Sequence, residues 1–124
     1  MANKKEYELA KAVSTYIKLA YPKAMFHFDL AGLNLSRTQA GMTKAIQGKR
    51  GFPDLFIVQP NNQHHGLFIE LKIETPFKKD GTIRTNGHLE EQQEMLIELN
   101  KKGYSAHFSW GFDMTKSIID TYLK

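Results

Sequence analysis

The sequence predicts an α/β or α+β fold: a β-sheet with helices packed on it. Stretches with apolar residues at steps of three and four alternate with short runs of β-branched and aromatic residues. The resulting order is helix, short strand, helix, strand, strand, helix, strand, helix. Such mixing along the chain points to helices packed on a sheet. No long Gly/Ser/Pro linker, internal repeat or low-complexity tract interrupts the 124 residues, so a single domain spanning residues 1–124 is expected.

The first helix runs from about Lys4 to Ala20. Leu9, Val13, Tyr16, Ile17 and Ala20 fall on one face, and Tyr21-Pro22 ends it, because the residue before proline disfavours helical geometry. Met25 to Leu30 reads as a short strand, and Ala31 to Asn34 as a loop. Ser36 is an N-cap for a helix through about Gln47, with Gly48 as its stop. Asp54 to Gln59 is a short apolar strand. PNNQHHG turns the chain, and Gly66 to Ile73 returns it as the second arm of an antiparallel hairpin. Thr75 to Asn86 is polar, carries Pro76 and Gly81, and reads as an exposed loop. A helix from about Leu89 to Lys102 stops at Gly103, Tyr104 to Trp110 alternates like a strand, and a helix from about Met114 to Leu123 closes the chain.

Composition narrows the function. A hydrophobic share of 41% suffices for a core and excludes a disordered tail. Cysteine is absent, which excludes disulfides, cysteine-based zinc sites and cysteine nucleophiles. No apolar run approaches the ~20 residues of a membrane span. The N-terminus, MANKKEYE, lacks the apolar stretch of a signal peptide, so a cytoplasmic protein is expected. The net charge of +4 makes an anionic partner plausible, nucleic acid first.

The candidate chemistry lies at one end of the hairpin. In the strand Leu67 to Ile73, residues Leu67, Ile69, Leu71 and Ile73 share one face, while Phe68, Glu70 and Lys72 share the other. Gly51-Phe52-Pro53-Asp54 begins the preceding strand, and Pro53 orients its entry. An antiparallel hairpin brings Asp54 close to Glu70 and Lys72. Two carboxylates and an ammonium there suit Mg²⁺, a hard cation that takes oxygen ligands and keeps several waters. The same residues equally read as a surface ion pair and a strand cap.

Gln92 stands among apolar residues. With Leu89 at zero on a helical wheel, Leu96 falls at about 340°, Leu99 at about 280° and Gln92 at about 300°, against about 40° for Gln93. A buried amide there either serves a reacting group or ties down nearby backbone. On the first helix Glu6 leans toward the sheet and Glu8 faces away, and Glu6 also suits the helix dipole. Two basic clusters, Arg37, Lys44, Lys49 and Arg50, then Lys78, Lys79 and Arg84, adjoin these positions and could bind phosphates or lie as solvated charge. The histidines show no zinc-ligand spacing, core packing is the default for the phenylalanines and Trp110, and no Walker, Rossmann or G-x-S-x-G motif is present.

Gly51-Phe52-Pro53-Asp54, Glu70-Leu71-Lys72, and Gln92 followed by Leu96, Leu99 and Gly103 resemble the G-x-P-D, E-x-K and Q-x-x-x-L-x-x-L-x-x-x-G elements of the VRR-NUC domain. This is the virus-type replication–repair nuclease branch of the PD-(D/E)XK nucleases. Glu6, Leu9, Ala12-Val13 and Tyr16-Ile17 look like its opening helix, so the resemblance covers nearly the whole chain. At this length it looks like a stand-alone phage or bacterial member. The resemblance implies a restriction-endonuclease-like α-β-β-β-α-β core and a Mg²⁺- or Mn²⁺-dependent DNA endonuclease, in a bacterial cell or phage-infected host. By carry-over Asp54, Glu70 and the main-chain carbonyl of Leu71 bind metal. Lys72 assists the attacking water, Gln92 supports the site and Glu6 supplies a helix-borne acid. Stand-alone members look like homodimers that cut branched DNA such as Holliday junctions. The Glu-Glu-Gln-Gln run around Gln92 departs from the pattern. A nuclease for duplex or flap DNA in phage genome processing, and an inactive DNA-binding module, are the alternatives.

Overall fold

The computed structural model describes residues 4–29 and 36–124. Eight elements follow in chain order: α1 (Lys4–Ala20), β1 (Phe26–Phe28), α2 (Arg37–Ile46), β2 (Leu55–Ile57), β3 (Leu67–Lys72), α3 (Leu89–Lys101), β4 (Ser105–Trp110) and α4 (Phe112–Leu123). The sheet order is β1-β2-β3-β4. The pairs β1/β2 and β2/β3 are antiparallel, and β4 runs parallel to β3.

The strand alternation of β3 builds both sides of the molecule. Leu67, Ile69 and Leu71 join Ala10, Val13 and Ile17 of α1 and Ile119 and Tyr122 of α4 in one apolar cluster. Phe68 points the other way and packs with Leu89, Met95, Leu96 and Leu99 of α3 and with Ala106 and Phe108 of β4. Helices therefore cover both faces, and the central strand is buried almost throughout. Fully burying a side chain such as Ile17, Ile69 or Ile119 stabilises the fold by about 1.5–3 kcal/mol each.

The ends of several elements differ from the sequence expectation. β1 and β2 are shorter than expected, so residues 58–66 connect the hairpin. Asn61 folds that connection, its Oδ1 accepting from the N–H groups of Gln63 and His64. Ile73 lies beyond β3 and is exposed. The segment after β3 is no loose loop: Phe77 and Ile83 pair as an antiparallel bridge, and the Phe77 ring meets Phe108 and Trp110 edge-on. α4 starts at Phe112 rather than Met114, because Gly111, at φ +88°, makes the turn that begins it. Thr115 Oγ1 then donates to the Gly111 carbonyl at 2.8 Å. Gly103, at φ +96°, ends α3 where expected. Ser36 caps α2 through a reciprocal capping box with Gln39, yet α2 buries none of its residues. The expected loop over Ala31 to Asn34, and the last residue of the first expected strand, Leu30, lie outside the described residues.

Candidate active site

The β2/β3 register pairs Leu55 with Ile69. One step further along the ladder sets Asp54 opposite Glu70, with Lys72 at the end of β3 beyond it. All three line an open cleft of about 870 Å³ at this end of the sheet. The roof of the cleft is the start of α3, because α3 packs on the face of β3 that carries Phe68 and Glu70.

Glu70 is only 5% exposed. Burial, then the Asp54 charge and a hydrogen bond with Asp54, push its carboxyl far above the usual carboxylate range, and Lys72 offsets only part of this. The Lys72 Nζ lies 3.7 Å from Glu70 Oε2. Asp54 is held from two sides: its Oδ2 accepts from the Leu71 N–H at 2.9 Å, and its own carbonyl accepts from the Asp29 N–H at 2.7 Å. The two carboxylates thus meet in a poorly hydrated corner with too little positive charge to balance them.

Gln92 supplies a second imbalance. Its Oε1 is buried and has no hydrogen-bond partner among the described residues. Met95 is buried as well as Leu89, Leu96 and Leu99, so the core stripe of α3 is wider than expected and centres close to Gln92. Gln92 lines the cleft, whereas Gln93 does not. An unpaired buried acceptor of this kind costs about 1–3 kcal/mol, which a donor arriving in the cleft would relieve.

The remaining candidates divide. Glu6 lines the cleft and is partly buried, and Glu8 is exposed on the far side of α1. No group of three or more His, Asp or Glu side chains close enough to hold an ion occurs among the described residues, so Glu6 does not join Asp54 and Glu70 in such a set. Leu71 lines the cleft with its neighbours. Of the basic residues, Arg50 and Arg84 line it. Arg50 Nε stands 3.6 Å from Glu91 Oε1 on α3. The Arg84 N–H donates to the Pro76 carbonyl, so the bridged segment after β3 delivers that side chain to the cleft edge. Lys78 and Lys79 are exposed on that segment, Lys49 is exposed beyond α2, and Arg37 and Lys44 are exposed on α2.

Among the cleft residues that the sequence did not single out are Lys5, Asp29 and Phe52. Asp29 was legible in principle. β1 pairs Phe28 with Leu55, so the next residue must stand beside Asp54. Lys5 and Phe52 carry no comparable signal, since a helix-start lysine and an isolated phenylalanine are both commonplace.

A mixed four-stranded sheet between helices, with two carboxylates and a lysine at one end of its central hairpin, is the restriction-endonuclease-like architecture, a nuclease-type fold. A solved VRR_NUC domain protein shares it, with a TM-score of 0.65 at 25% identity, covering 95% of this chain and 87% of that one. The chain thus has the fold of a VRR-NUC domain. No family model matches the sequence, and no curated protein does.

Proposed function

We propose that the chain is a Mg²⁺- or Mn²⁺-dependent endonuclease that hydrolyses phosphodiester bonds in branched DNA such as Holliday junctions. The observation that carries this reading is the pairing of half-buried Asp54 with buried Glu70 beside Lys72. Such a pair holds one proton more than free carboxylates would at neutral pH, and a divalent cation is the natural replacement for that proton. Two carboxylates suit Mg²⁺, which keeps several waters and needs few protein ligands. Asp54, Glu70 and the Leu71 carbonyl are the groups that would hold it, with Glu6 at the cleft wall. A cation held there supplies a Lewis acid for the phosphoryl oxygen and a water of lowered pKa.

The protein's own groups do the rest. The Leu71 N–H fixes the rotamer of Asp54. Lys72 brings a positive charge within reach of the negative charge that develops on the phosphate, and orients the attacking water. Gln92 Oε1 accepts a hydrogen bond from that water or from one beside it, satisfying its buried acceptor. Arg50, Arg84 and Lys5 contact flanking phosphates, which fixes register without reading sequence. A junction has two symmetry-related strands to cut, and two-fold dimers are the commonest oligomers, so a homodimer is the expected active form. Among the described residues no helix is long and apolar enough to cross a membrane.

The test is cleavage of a labelled four-way junction and of its matched linear duplex, with Mg²⁺, Mn²⁺ or EDTA. Paired, metal-dependent cuts confined to the junction are expected. Equal cutting of both substrates moves the reading to duplex or flap DNA. Junction binding without any cut moves it to an inactive binding module.

A further inference from the structure

Phe52 breaks the rule that the other aromatic residues near the cleft follow. It is 47% exposed, whereas Phe68 and Phe108 are each 8% exposed. Yet Phe52 is not on a loose loop. Gly51, at φ +87°, turns the chain close against α3, where a Cβ on Gly51 would stand 3.4 Å from the Glu91 carbonyl oxygen. Pro53 follows, buried and with its φ locked by its ring. The Phe52 ring rests against Phe68, with centroids 6.4 Å apart, and Phe68 is itself stacked on Phe56 at 4.2 Å. A rigid aromatic ring is thus backed by the core and presented to the cleft.

The neighbours of that ring are polar. Within five residues the chain offers a guanidinium at Arg50, the ring at Phe52 and a carboxylate at Asp54, and all three line the same cleft. Two residues span at most about 7 Å. That is about two stacked base steps of ~3.4 Å each. A strand whose phosphate lies at Asp54 therefore places its adjoining base within reach of the ring. Phosphates and sugars give an apolar ring nothing to complement, but the face of a base does. Only a base already unstacked from its neighbour exposes that face.

We propose that Phe52 is a base-stacking residue that selects DNA whose nucleotide beside the cut is unpaired. This rests on the nuclease reading above and adds the reason why branched DNA would be preferred to duplex: a junction or flap supplies an unstacked base without the expense of opening a helix. The ring discriminates by strand geometry and not by base identity, because every base has a π-face.

The test combines protein and substrate changes. Wild type, Phe52→Trp, Phe52→Leu and Phe52→Ala are compared on a four-way junction, on linear duplex, and on junctions with an abasic nucleotide on either side of the cut. Phe52→Leu keeps apolar bulk against Phe68 while removing the ring, and circular dichroism checks that it folds. Expected are retained activity in Phe52→Trp and a fall of about tenfold or more in junction cleavage for both Phe52→Leu and Phe52→Ala. The junction-to-duplex ratio should fall with it. An abasic site should lower wild-type cleavage to the level of Phe52→Leu and leave Phe52→Leu unaffected, the signature of two partners in one contact. As a readout that needs no cutting, 2-aminopurine beside the cut should be quenched by Lys72→Ala protein and not by the Phe52→Leu/Lys72→Ala double variant.

Wild-type-like cleavage and quenching by the leucine variants, or equal additive losses on intact and abasic junctions, would overturn the stacking role and leave the nuclease reading standing. A wild type that cuts none of the substrates with either metal overturns the nuclease reading, and the stacking role with it.

Discussion

Glu70 sits almost fully buried between a like charge, Asp54, and an opposite one, Lys72, and burial dominates its proton affinity. A carboxyl whose folded pKa is raised binds a proton more tightly in the native state than in the unfolded chain. Its contribution is fully present below the ordinary carboxylate range and is lost as pH rises through neutrality toward the raised value. In EDTA the protein should therefore become less stable as pH increases from about 5 toward 9. Glu70→Gln should flatten that slope, which thermal melts at a series of pH values would show. At neutral pH, Mg²⁺ should raise the melting temperature of wild type, by about 2.7 kcal/mol of stabilisation at a hundredfold excess over Kd, and should do little for Glu70→Gln. Gln92 makes the complementary case. Gln92→Leu removes a buried unpaired acceptor, so it should be at least as stable as wild type in denaturant titration. Its cleavage should nonetheless fall about tenfold, the worth of one lost hydrogen bond to a reacting group. The wheel position of Gln92 was legible from the spacing of Leu89, Leu96 and Leu99. Its empty acceptor was not, because satisfaction depends on neighbours brought from other elements. Phe52 was missed for the opposite reason: its residue type implies a core position, and only tertiary structure exposes it.

At the scale of elements, local signals located helices and strands well where the pattern was periodic. α1 has the expected bounds, since its apolar stripe and the Tyr21-Pro22 stop agree. The short strands came out shorter than their apolar runs, because pairing with neighbours decides where a strand ends and that lies outside the local sequence. The bridge between Phe77 and Ile83 was hidden within a polar segment for the same reason. The tie between α1 and α4 was equally unreadable. Tyr16 Oη and Tyr21 Oη donate to Asp120 Oδ1 at 2.5 and 2.6 Å, from residues about a hundred positions away, while Lys116 Nζ lies 3.1 Å from Oδ2. The two tyrosine hydrogen bonds hold the Asp120 carboxyl far below its usual range. A lowered pKa contributes stability that is present above the ordinary carboxylate value and lost as pH falls through the lowered one. Asp120→Asn should therefore lower the melting temperature at pH 7, and the gap to wild type should close in acid. Cleavage per folded molecule should be unchanged, since Asp120 does not line the cleft.

For the molecule as a whole, the order of elements was enough to call for a sheet with helices packed on it, and the structure adds that helices cover both faces of β3. The same hairpin explains why part of the site was legible: its antiparallel return, with Leu55 opposite Ile69, makes Asp54, Glu70 and Lys72 neighbours. The basic lining of the cleft was not legible, because charge clusters in sequence scatter in space. Only Arg50 and Arg84 of the seven basic candidates line the cleft, and Lys5 joins them from the other end of the chain. Arg84→Ala should weaken junction binding and reduce the slope of log K against log salt by about 1, the share of a single phosphate contact. Lys79→Ala, on the exposed outer part of the same segment, should change that slope less. Asp54, Glu70 and Lys72 are proposed to form one hydrolytic centre. Its most direct measurement is single-turnover cleavage of a four-way junction by wild type and by folded Lys72→Ala, each in Mg²⁺ and in EDTA. Cleavage that vanishes in EDTA and falls by about 10²–10⁴ in Lys72→Ala is the predicted result. Wild-type rates in the folded variant, or cutting that persists in EDTA, would contradict it.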